Sequence, residues 1–422
     1  MKYIDMHCDT ISRILISEQL GHRISFEHND LMIDLEKLEK GDCLCQNLAF
    51  FVHLGMPKDL KKVLSASPNV SESTSKNTSK RDSESTSKSV SKRSVERAAE
   101  KTSPGNAGNP SESVSESERT LIKTVDSVSD SDDEDVTAHI GQSRPLPPDT
   151  ELIDPWENVC EQVRVFREVV SACPDRISQV TNGEQIRANA AAGRVSALMT
   201  VEEGGVCKGS VKHLEELYDQ GVRMMTLTWN IENELASPNH FTAEHYFDYM
   251  QGDEGGLKPL GFEFVQRMQE LGMLVDVSHL SDAGFWNVAA AVKGPFVASH
   301  SNARALCGCS RNLTDGMIRT LAEHGGVVGL NFGPEFLHPQ KVGPRQTVER
   351  IAAHARHIIN VGGIGCVGLG SDFDGIDGHM EIGRADQMPM LAEGLERLGF
   401  TLDDVEHIFY KNVLRVYDDV LG

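Results

Sequence analysis

No run of about eighteen consecutive apolar residues occurs in this 422-residue chain, so no membrane-spanning helix is expected. Cys-x-x-Cys is missing as well. The nine cysteines include the close pairs Cys43-x-Cys45 and Cys307-x-Cys309, the wrong spacing for a zinc ribbon or a thioredoxin-type motif, and reduced, mostly buried thiols are expected. No Gly-x-Gly-x-x-Gly follows the first apolar run, which weighs against a dinucleotide site. The start, Met1-Lys2-Tyr3-Ile4-Asp5, has no apolar leader, and the end, Val416 to Gly422, has no apolar tail. A cytoplasmic protein with no signal peptide, lipid anchor or membrane partner is the expectation. Excess basic charge is also lacking. A formal net charge of −22 disfavours nucleic acid and anionic membranes as partners, and leaves small zwitterionic substrates open.

Aromatic residues are missing between Phe51 and Trp156. From Ser65 to Pro148 the composition turns to Ser, Thr, Lys and Glu, as in Ser71-Glu72-Ser73-Thr74-Ser75-Lys76. Such a stretch cannot bury enough apolar surface to offset its ordering entropy. Residues 65–148 are therefore expected to be a disordered, low-complexity loop insertion in a single domain spanning 1–422. Long loops add little closure entropy. The acidic run from Asp126 to Asp135 reads as solvated linker. With 39% hydrophobic residues and a mean hydropathy of −0.31, the chain is expected to be soluble and globular.

Outside the insertion, short apolar runs alternate with helix-period stretches. Strands are predicted at Tyr3–Met6, Asn47–Val52, Val195–Val201, Met224–Thr228, Leu274–Val277, Phe296–Ser299, Val327–Asn331 and Val367–Gly370. Helices are predicted at Glu157–Val170, Val211–Gln220, Phe262–Leu271, Asp282–Val292, Asp315–His324 and Val348–Val361, with a final pair near Met388–Leu398 and Leu402–Tyr417. Thr314-Asp315 and Thr401-Leu402-Asp403-Asp404 carry helix-start chemistry. Eight strands alternating with helices predict an α/β fold with a parallel (β/α)8 TIM-type barrel, an open doubly wound sheet being the alternative.

Chemistry concentrates where these runs end. In Met6-His7-Cys8-Asp9, His7 and Asp9 are two residues apart on an extended segment and point the same way. An imidazole and a carboxylate reaching into one space suit a metal such as zinc. Glu202, His279, His300 and Asp372 likewise lie just past short apolar runs. In a barrel these positions converge on the C-terminal rim, where such folds hold their active sites. Several carboxylates buried together need a cation or protons to balance them.

The chain resembles the membrane (renal-type) dipeptidases, zinc peptidases with an amidohydrolase-like barrel, over nearly everything except the insertion. The resemblance is carried by Asp5-Met6-His7-Cys8-Asp9, Val201-Glu202-Glu203-Gly204-Gly205, Leu217-Tyr218-Asp219-Gln220-Gly221-Val222-Arg223 with Leu227-Thr228, Asp276-Val277-Ser278-His279, Ser299-His300-Ser301, Ser310-Arg311-Asn312, and Gly368-Leu369-Gly370-Ser371-Asp372-Phe373-Asp374-Gly375. It implies two zinc ions per chain. His7 and Asp9 match the ligands of one, His279 and His300 those of the other, and Glu202 the carboxylate bridging both, with Glu203 as the competing candidate. Asp372 matches the acid/base carboxylate, and Arg311 the residue that grips the terminal carboxylate of a dipeptide substrate. The family's animal members carry a histidine after the Leu-Thr segment that contacts the reacting carbonyl. Here that place is Trp229, so either that role is lost or Asn230, His240 or His245 supplies it as a substrate-binding residue.

The implied activity is hydrolysis of short peptides with a free C-terminal carboxylate by water activated between the metals. Two other readings stay open. One is a related metal amidohydrolase acting on a lactam or cyclic amide, although the His-x-His usual in that branch is absent at the first strand. The other is a catalytically silent binding protein. A homodimer is compatible with the sequence, which fixes no oligomeric state.

Overall fold

The computed structural model describes residues 1–58, 151–239, 255–339 and 345–422. They belong to one compact unit formed by Met1–Val63 and Asp149–Gly422. The expected insertion at 65–148 and the loop histidines His240 and His245 lie outside the described residues.

Eight parallel strands close into a barrel: β1 (Tyr3–Asp5), β2 (Cys43–Phe51), β3 (Val195–Glu202), β4 (Val222–Thr226), β5 (Leu274–Asp276), β6 (Val297–Ala298), β7 (Val327–Leu330) and β8 (Val367–Leu369). Each pairs with the next in the chain, and β1 pairs with β8 through Asp5 and Leu369. The fold is thus α/β, a TIM-like closed barrel with flanking helices. Strands buried on both faces read as near-continuous apolar runs, and β3 is buried at every position. Several of the helices are amphipathic and start on side-chain caps: Ser210 accepts from the His213 N–H, Thr314 from Met317 and Thr347 from Arg350.

The barrel centre is filled by Ile4, Met6, Leu198, Met224, Leu274, Val297 and Val327, and Val413, Val416 and Tyr417 of the last helix (Asn412–Leu421) join the same apolar cluster. Tyr417 donates its hydroxyl to Asn47 Oδ1 at 2.8 Å. Space is tight: a Cβ on Gly329 would collide with the Ser299 carbonyl and with Met6. The interior is therefore a packed plug.

Several elements depart from the sequence reading, among them the unforeseen helices Thr10–Leu20, Leu35–Lys40 and Gly183–Ala191. Ile177–Val180 is an additional parallel strand. It pairs with the first half of β3 along the edge whose second half pairs with β4. The helix expected over Leu402–Tyr417 is broken into Leu402–Glu406, a wider π-type turn at His407–Lys411, and Asn412–Leu421. The turn lets Asn412 reach the carbonyls of Ile364 (2.6 Å) and Val367 (2.8 Å). All nine cysteines are free, and only Cys160 and Cys173 are not fully buried. No described helix is long and apolar enough to cross a membrane.

Candidate active site

Two buried aspartates build the rim. Asp5, which ends β1, accepts from the Ser371 N–H (2.8 Å), the Ser371 hydroxyl (2.6 Å), the Gln46 amide (3.1 Å) and the His7 N–H (3.4 Å). Asp276, which ends β5, accepts from the N–H of Ser278 (3.0 Å) and Ser299 (2.8 Å) and the hydroxyls of Ser299 (2.5 Å) and Thr226 (2.6 Å). Each carboxylate thereby ties two neighbouring strand ends together. Asp5 sets the turns carrying His7 and Asp372, and Asp276 those carrying His279 and His300. His279 (φ 66°) and Asp372 (φ 64°) both sit in the left-handed region. Such strain persists where the surroundings over-determine a side chain's direction.

The loops deliver His7, Asp9, Glu202, His279, His300 and Asp372 to one buried cluster, none more than 8% exposed. Glu202 is central. Its Oε1 lies 2.9 Å from His279 Nε2 and 3.4 Å from His300 Nε2, and its Oε2 lies 3.5 Å from His7 Nε2. His7 Nε2 is also 3.6 Å from Asp9 Oδ2 and 3.7 Å from Asp372 Oδ1. Two overlapping groups have a cation's donor set: His7, Glu202 and His300, and His7, Asp9 and Asp372. Gly375 completes the enclosure, since a Cβ there would fall on Asp9 Oδ2 and Asp372 Oδ1.

The second nitrogens of the histidines are committed elsewhere. The Ser299 hydroxyl donates to Asp276, so His300 Nδ1, at 2.7 Å, is the donor to Ser299 Oγ. His279 Nδ1 bonds Asn230 Oδ1 at 2.8 Å. Both bonds fix the tautomer that leaves Nε2 as a lone pair facing Glu202, the arrangement metal-binding histidines use.

Three observations test whether the cluster suits divalent cations. Asp9 stands at the N-cap position of the helix Thr10–Leu20 yet makes no side-chain cap bond, its carboxylate being turned into the cluster. His7 Nε2 and Asp9 Oδ1 are buried without a hydrogen-bond partner, a cost that native structures rarely carry unexplained. The charges are also unbalanced. Burial, with the charge of Glu202, pushes the Asp9 carboxyl up, and burial with the charges of Asp9 and Glu202 pushes Asp372 well up, partly opposed by His7. Glu202 is held well below its usual range: burial acts upward, and is outweighed chiefly by the charge of His7. His279 is lowered to about 4 by burial and the Arg311 charge, and His300 is lowered by burial and His7. Two neutral imidazoles and crowded carboxylates fit a cation-binding donor set.

The remaining sequence candidates surround this cluster. Glu203 shares none of it: Oε1 accepts from the Gly205 N–H (2.7 Å) and in a short bond from Asn233, and Oε2 accepts from the Trp229 N–H (2.9 Å). Arg311 is 4% exposed. One of its terminal nitrogens donates to the His300 carbonyl at 3.1 Å, the other faces the Ser301 hydroxyl at 3.5 Å, and its Nε has no partner. Asn331 was not singled out from sequence. Its side-chain amide donates to Asp372 Oδ2 at 2.8 Å, and its place at the end of the seventh apolar run was the available signal.

Comparison with known proteins gives this geometry its family. The family model for membrane dipeptidases, peptidase family M19, matches residues 1–421. The chain belongs to that family. It is 31% identical over 268 residues to a Klebsiella pneumoniae protein encoded in the pqqA 5′ region, covering 63% of this chain and 97% of that protein. It is 31% identical over 263 residues to the dipeptidase aclJ of Aspergillus oryzae, and 34% identical over 261 residues to an uncharacterised dipeptidase of Schizosaccharomyces pombe. These matches span 62% and 61% of this chain, and 60% and 61% of the two fungal proteins. Among solved structures, a family M19 metallopeptidase described as dipeptidase AC superposes with a TM-score of 0.71 at 20% identity, covering 100% of this chain and 99% of that one. A Rhodobacter sphaeroides metallopeptidase bound to a phosphinate mimic of the dipeptide L-Ala-D-Ala superposes with a TM-score of 0.70 at 20% identity, with the same coverage.

Proposed function

We propose that the protein is a binuclear zinc dipeptidase that hydrolyses the peptide bond of short peptides bearing a free C-terminal carboxylate. The observation that carries this reading is the division of the Glu202 carboxylate, one oxygen toward His279 and His300 and the other toward His7. A single bridging carboxylate with separate ligands on either side suits two cations better than one. His7, Asp9 and Glu202 Oε2 would hold the first, and His279, His300 and Glu202 Oε1 the second. The dipeptidase names of the fungal relatives and the dipeptide mimic in the Rhodobacter structure support the substrate class.

Zinc ions bound here would supply Lewis acidity, acidifying water and polarising a carbonyl. The chain's own groups do the rest. Asp372, oriented by Asn331, takes the proton of the attacking water and returns it to the leaving amine as the C–N bond breaks. Arg311 presents a buried guanidinium, its Nε without a partner, to the substrate's terminal carboxylate. Asn230 keeps His279 in its tautomer. The Arg311 contact favours a dipeptide over a longer chain, because an amide replaces the anion where the guanidinium waits. Comparing a dipeptide with its C-terminal amide tests this. The account expects the amide to be cleaved at least about tenfold less efficiently, within the range of a charge-assisted bond; equal kcat/KM would refute it.

A further inference from the structure

Three rings with no counterpart in the proposed chemistry border the metal-binding cluster. Trp229 lies with its ring centroid 6.1 Å from that of His279. Phe51 packs edge-on against Trp229 at 4.9 Å, and His53 does so at 5.3 Å. All three are only half-buried. Phe51 is paired in register with Glu202, so its side chain leaves the sheet on the face that carries the cluster. The Trp229 backbone is pinned by its bond to Glu203, so the indole stands on an anchored loop.

The wall is uncharged. His53 Nδ1 accepts from the Gly55 N–H at 3.1 Å, which places its proton on Nε2 and leaves the ring neutral. Glu203, the carboxylate behind the wall, has both oxygens occupied by donors.

The position of the wall decides what it would touch. Arg311 follows β6, whereas Phe51 ends β2 and His53 follows it, four strands around the ring and hence across the mouth. A run of contacts leads from one side to the other. Arg311 bonds the His300 carbonyl, His300 Nε2 lies 2.9 Å from His279 Nε2, and His279 adjoins Trp229. A dipeptide with its carboxylate on Arg311 and its scissile carbonyl over the cluster must direct its first side chain toward the rings.

We propose that Trp229, Phe51 and His53 form the subsite for the side chain of the substrate's first residue, and that they select large apolar and aromatic side chains over small or anionic ones. This rests on the dipeptidase reading and adds the preference at the first position. Apolar burial there discriminates by about tenfold or more between a large side chain and none.

The test uses the zinc-loaded full chain with Gly-Ala, Leu-Ala, Phe-Ala and Asp-Ala. Wild type should show a Phe-Ala to Gly-Ala ratio of kcat/KM of at least about tenfold. In Trp229→Ala that ratio should fall toward one, and Trp229→Phe should keep most of it. Calorimetry with the Phe-Ala and Gly-Ala isosteres whose peptide bond is replaced by CH2–NH gives a readout apart from turnover. The Phe isostere should bind the tighter by a similar factor in wild type and equally in Trp229→Ala. Equal treatment of all four peptides by wild type, or a ratio unmoved in Trp229→Ala, overturns the subsite. Hydrolysis of none of them overturns the dipeptidase reading, and the subsite with it.

Discussion

Arg304 holds the two carbonyls on either side of Arg311. Its Nε donates to the Asn312 carbonyl at 2.7 Å and a terminal nitrogen donates to that of Ser310 at 3.1 Å. Its guanidinium also makes a two-pronged bridge to Asp282, both contacts at 2.7 Å. One arginine thus fixes the backbone from which the other projects. Arg304 touches no reacting atom, so it is a positioning residue.

Loosening that grip should act on substrate binding before chemistry. Arg304→Lys keeps the charge but loses the fork, and is expected to raise KM for dipeptides by about tenfold with a smaller change in kcat. The same variant should leave KM for the C-terminal amide nearly unchanged, because the amide makes no use of Arg311. Steady-state kinetics on both substrates checks this. Equal KM increases for the two would show a general structural defect.

Asp372→Asn keeps shape and the Asn331 neighbour but cannot carry a proton. Turnover should drop by roughly 10²- to 10⁴-fold, with zinc retained by the protein as measured by elemental analysis. A variant that turns over at the wild-type rate would remove Asp372 from proton transfer.

His354 gives a pH-dependent stability separate from the active site. Its Nδ1 accepts from the Ala303 N–H at 3.1 Å and its Nε2 faces the Leu337 carbonyl at 3.3 Å, so the ring is neutral in the fold. Burial first, and the nearby charges of His357 and Arg350, lower it to about 4. In the unfolded chain it titrates near 6.5. The unfolded state therefore binds more protons between these values, and stability falls as pH drops through that window. The destabilisation caused by His354→Leu should be greater at pH 7.5 than at pH 5 by about 2 kcal/mol, read from urea denaturation. A difference independent of pH would contradict the neutral, buried assignment.

The barrel was legible because its strands are buried on both faces and read as apolar runs, all eight of which form strands. The strand Ile177–Val180 was not, because Ser178 and Gln179, both only partly buried, interrupt a run of four residues whose ends alone are apolar and buried. The helix Thr10–Leu20 also escaped notice. Asp9 precedes it without capping it, since its carboxylate is used in the cluster, and so the usual start signal is spent on another task. The side chains gathered at the rim stood out as ligand-type residues at strand ends. Their supports did not: Asp276, Ser299, Asn331 and Arg304 act through bonds to residues distant in sequence, which spacing along a chain does not reveal.

The central claim is that Glu202 joins two cation sites. The most direct measurement is zinc per chain, by elemental analysis of the full-length protein after zinc loading and removal of loosely bound metal. The account predicts about two zinc ions per chain for wild type, falling to one or fewer in Glu202→Ala. A loaded wild type that retains no zinc, or a content unchanged by Glu202→Ala, would contradict it.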